Sequence, residues 1–101
     1  MDIPFSYFQT WINSLPENTT FDFGNVALSL EARFLASVAN KHISVYIPPA
    51  DKGLVYSGTL DVSWPEDHWF SMLARFSYNN RIKTLAQAKE FLEFAARLDI
   101  R

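Results

Sequence analysis

The stretch His42-Ile43-Ser44-Val45-Tyr46-Ile47-Pro48-Pro49-Ala50-Asp51-Lys52-Gly53-Leu54-Val55-Tyr56-Ser57-Gly58-Thr59-Leu60-Asp61-Val62 decides the fold class. In its first part Ile43, Val45 and Ile47 alternate with Ser44 and Tyr46, the period of two expected of a strand, in residues that favour strands. Pro48 to Gly53 is the clearest break in the chain. Leu54 to Val62 reads as a second strand, with Tyr56, Leu60 and Val62 on one face and Gly58 marking a bulge or a close approach. Two strands are marginal alone and need a helix across one face. The expected class is therefore α+β: three to four helices packed around a short antiparallel β-hairpin, in one small globular domain over residues 1–101.

The helices lie on both sides of this stretch. From Pro4 to Leu15, Phe5, Phe8, Ile12 and Leu15 fall on one face at about 100° per residue, and Tyr7 and Trp11 widen it. Pro4 suits a first turn and Pro16 ends the segment. Glu17 to Asn25 reads as a linker in which Phe21 and Phe23 alternate around Asp22. Asn25 is a suitable N-cap for a helix from Val26 to Asn40. There Ser29, Arg33, Ser37 and Asn40 form a narrow polar stripe, with Arg33 reaching solvent. Ser63 and Glu66 have the spacing of a capping box opening a third helix that runs to Phe76. Thr84 and Gln87 repeat that spacing before the last helix, which extends to Leu98. Leu85, Ala88, Phe91, Leu92, Ala95 and Leu98 form its apolar stripe.

Composition narrows the function classes. The 101 residues are 49% hydrophobic, with nine Phe, four Tyr and three Trp, and contain no Cys. A disulfide scaffold, a thiolate metal centre and a thiol nucleophile are excluded, and a reducing compartment is mildly favoured. Met1-Asp2-Ile3-Pro4-Phe5 lacks the basic run of a secretory signal, and no apolar stretch approaches the roughly 20 residues that span a bilayer. The expectation is a soluble cytoplasmic protein with no membrane partner. The formal net charge of −2 carries no dense basic patch, so no nucleic-acid partner is expected either.

The polar residues do not assemble into a reaction centre. Asp61, Glu66, Asp67 and His68 form the densest cluster, and a metal or acid–base site could be made of such groups. Glu66, Asp67 and His68 are consecutive, however, so on a first helical turn they fan apart, and acids there serve the helix end. No cofactor, metal or small-molecule ligand is identifiable.

Binding remains. Tyr7, Trp11, Trp64, Trp69 and Phe70 lie at the shoulders or ends of their segments, and such rings are common interface anchors. They are the candidate interface residues. The expected function is a small protein-interaction domain acting as adaptor, inhibitor or accessory factor through an aromatic surface, without catalytic activity of its own. Two alternatives stand beside it. One is a small homodimeric enzyme with a His/Asp acid–base site, built from His42 or His68 with Asp61. The other is a structural protein that self-associates through the same rings.

Overall fold

The computed structural model describes residues 3–25, 27–39, 45–46, 55–57, 62–65 and 67–100. Helix α1 spans Phe5–Ser14, α2 Leu30–Ala39, α3 Trp69–Asn79 and α4 Leu85–Arg97. Between α2 and α3 the backbone forms a short antiparallel ladder of β1 Val45–Tyr46, β2 Val55–Ser57 and β3 Val62–Trp64. Its register pairs Val45 with Ser57, Tyr46 with Tyr56, Val55 with Trp64, Tyr56 with Ser63 and Ser57 with Val62.

This architecture corrects the α+β (alpha-beta) expectation. The domain is helical: its core is made helix against helix, not helices around a hairpin. Trp64 of β3 belongs to the buried apolar cluster, and the rest of that cluster named here comes from the four helices. Phe5, Phe8 and Ile12 come from α1, Leu30, Phe34 and Leu35 from α2, Trp69, Phe70 and Leu73 from α3, and Phe91 and Ala95 from α4. The proposed bulge at Gly58, the turn at 48–53 and His42 lie outside the described residues.

Rings knit the helices together. Phe8 stands 5.3 Å edge-on to Phe34 of α2 and 5.8 Å from Phe91 of α4. Trp69 meets Phe5 of α1 at 5.3 Å and Phe34 at 5.8 Å. Its indole Nε1–H donates to the Ile3 carbonyl at 2.6 Å in a buried bond that joins residues 66 positions apart. A buried indole with its donor satisfied is the stable arrangement for such a ring.

Helix ends show where local chemistry wins. Pro16 holds Leu15 extended (ψ 145°), so α1 stops at Ser14. Thr84 and Gln87 form the expected capping box, with the Thr84 hydroxyl accepting from the Gln87 amide and Gln87 Oε1 accepting from the Thr84 amide. Two other expected caps are corrected. Ser63 belongs to β3, and α3 starts five residues after Trp64, capped by His68 Nδ1, which accepts the Phe70 amide at 3.1 Å. Asn25 closes a turn instead of a helix: its Oδ1 accepts from the Ala27 amide and its carbonyl from Leu28 and Ser29, and α2 begins only at Leu30. Helices α3 and α4 end alike. Ile82 and Ile100 donate back to the Ser77 and Ala95 carbonyls, with Arg81 and Asp99 left-handed at φ 51° and 56°.

Candidate functional site

The surface between the start of α2 and the linker after α1 is built from the Asn25 turn. Asp22 donates its amide to the Leu28 carbonyl, and its Oδ1 accepts from Gly24. That closes a tight loop which leaves Leu28 about half exposed, at 49%. On the other side Phe21 donates to the Lys83 carbonyl at 2.8 Å, and Thr20 bridges Thr84, so the linker is fastened to the cap of α4. Thr20, Phe21, Asp22, Leu28 and Arg33 line an open depression of about 370 Å³.

Arg33 does not simply reach solvent. Its guanidinium donates to the Thr20 carbonyl and lies 5.1 Å from the centroid of the Phe21 ring. The pairing fixes a cation over an aromatic face at the wall of the depression. Phe21 in turn is 6.3 Å from Trp11, which packs against Phe34 at 5.4 Å. Trp11 is half-buried, and Tyr7, one helical turn earlier, is 56% exposed.

The five expected interface rings thus divide. Tyr7 and Trp11 reach the surface together, next to Phe21. Trp64, Trp69 and Phe70 are buried, and Trp64 packs on Phe70 at 4.5 Å. On α3, Phe70 is covered by Trp64 of β3 and Phe34 of α2, and Trp69 by Phe5 of α1 and Phe34. Of the polar cluster, His68 caps α3 and Asp67 is exposed, whereas Asp61 and Glu66 lie outside the described residues. Among the described residues no three His, Asp or Glu side chains gather in a way that could hold a metal, and no helix is long and apolar enough to cross a membrane.

Two residues not singled out from the sequence matter here: Leu28, which is about half exposed, and Glu31, which is not. Glu31 is buried, and burial raises its carboxyl above the ordinary 4.5, against smaller opposing effects of its own backbone N–H and the Ser29 and Ser77 hydroxyls. A signal for this was available. Glu31 falls off the Ser29–Arg33–Ser37 stripe, on the same face as Leu35 and Val38.

The fold and surface define a small helical domain with an aromatic–cationic depression and a buried acid. Comparison with protein-family models, with curated proteins and with solved structures finds no match in any of the three.

Proposed function

We propose that this domain is a protein-interaction module, working as an adaptor, inhibitor or accessory factor, that docks its partner on the surface of Tyr7, Trp11 and the Phe21–Leu28–Arg33 depression. One observation carries the reading: the exposed Tyr7 and Leu28 both adjoin the Trp11–Phe21 pair. Two large side chains kept in water beside a half-buried indole have the composition of an interface core. The fixed Arg33 adds a cation that is already oriented, so little side-chain freedom is lost when a partner covers it. A shallow, open depression favours a macromolecular partner over an enclosed small molecule. A cytoplasmic setting belongs to the same proposal and rests on the cysteine-free composition.

The test uses the whole chain as bait beside a Tyr7→Ala/Leu28→Ala variant, after light scattering on both. The expected result is a partner retained by the wild type and weakened at least about tenfold by the double variant, which truncates two anchors. If the wild type forms a dimer that the variant loses, the partner is a second copy of the chain. Equal retention by both proteins would overturn the assignment of this surface.

A further inference from the structure

Glu31 is 4% exposed on the side of α2 that faces the core, and α3 is packed against that helix. Ser29, two residues earlier, and Ser77, near the end of α3, place their hydroxyls close enough to act on its carboxyl. Yet Glu31 Oε2, Ser29 Oγ and Ser77 Oγ are all buried without a hydrogen bond of normal geometry. Three polar groups, from α2, the turn just before it and α3, therefore meet in one seam without completing a network.

Among the described residues no cation acts on this carboxyl. The other charged residue of α2, Arg33, is committed to the Thr20 carbonyl and the Phe21 ring. The one charged residue of α3, Arg75, stands two positions before Ser77, about 200° away around the helix. Its titratable phenol, Tyr78, is 59% exposed. A carboxylate buried without a partner is costly, and such a group takes up a proton instead. The neutral acid then has an O–H to give, and either serine hydroxyl can rotate to accept it.

We propose that Glu31 is a proton-operated latch on the α2–α3 contact: with its carboxyl neutral the helices close over it, and with it ionised the contact loosens. The folded chain holds the Glu31 proton to a higher pH than the unfolded chain, whose carboxyl titrates near 4.5. The latch contributes fully below that value. Its contribution is lost as pH rises from there through the folded-state value, at up to about tenfold in the folding constant per pH unit.

The test is denaturant unfolding of the full chain from pH 4 to pH 8, wild type against Glu31→Gln. The wild-type folding constant should fall more steeply than that of the variant, by up to about tenfold per pH unit above the onset, with the two profiles drawing together at low pH. Parallel profiles across the range would overturn the proposal. If the variant does not fold, the Glu31 carboxyl carbon is titrated by NMR in the wild type. A midpoint above 4.5, with amide protection in α2 and α3 lost over the same interval, supports the latch; a midpoint at or below 4.5 overturns it.

Discussion

Two helix contacts in this domain are made on opposite terms. Where α1 meets α4, Phe5 and Phe8 close on Phe91 at 6.1 and 5.8 Å, and both Phe8 and Phe91 are fully buried. Where α2 meets α3, Phe34 lies 6.4 Å from Phe70, but the same seam also encloses Glu31 with the Ser29 and Ser77 hydroxyls. The first contact rests on apolar area and ring geometry, neither of which responds to protons. The second includes a group whose charge state decides whether burial is tolerable. A domain of this size can thus have one contact that is stable under all ordinary conditions and another that is conditional.

The strongest way to break the comparison is to remove the ring that serves both helix pairs. Phe8→Ala should cost about 3–5 kcal/mol, the range for deleting a buried aromatic. Measured by denaturant unfolding, the loss should be the same at pH 5 and pH 8, because no titrating group is involved. A smaller effect is expected from Trp69→Phe, which keeps most of the ring but leaves the buried Ile3 carbonyl without its donor. That change should cost about 1–3 kcal/mol in the same assay, again with no pH dependence.

The smallest change sharpens the seam instead of breaking it. Arg81 is left-handed at φ 51°, in the turn where Ile82 returns a hydrogen bond to the Ser77 carbonyl. Glycine adopts that conformation without strain. Arg81→Gly should therefore stabilise the end of α3 by up to about 1 kcal/mol, read as a higher denaturation midpoint with an unchanged slope. A loss of stability would show that the Arg81 side chain contributes more than its backbone strain removes.

Much of the helical frame was legible in the residues. The first helix follows from Pro4, Pro16 and the Phe5–Phe8–Ile12 spacing, and the fourth from the Thr84–Gln87 box and its apolar stripe. Those signals are local, and nothing competes with them. The second and third helices start later than expected because Asn25 and Ser63, both good caps, are used in a turn and in β3. The alternation in residues 42–62 misled on the fold class, since it records which side chains could share a face and not which elements build the core, and that core is made helix against helix. For the candidate surface, Tyr7 and Trp11 could be read from α1, but their pairing with Phe21 and Leu28 depends on a loop closed by Asp22 and Asn25. Trp64, Trp69 and Phe70 were misplaced because a shoulder position is exposed only when no neighbouring element covers it.

Residue-level amide hydrogen exchange on the free protein between pH 4 and pH 8, corrected for intrinsic exchange rates, tests the contrast between the two contacts most directly. The account predicts that protection in α2 and α3 declines earlier and further than in α1 and α4 as pH rises above about 4.5. A parallel decline in all four helices, or a seam that keeps its protection at pH 8, would contradict it.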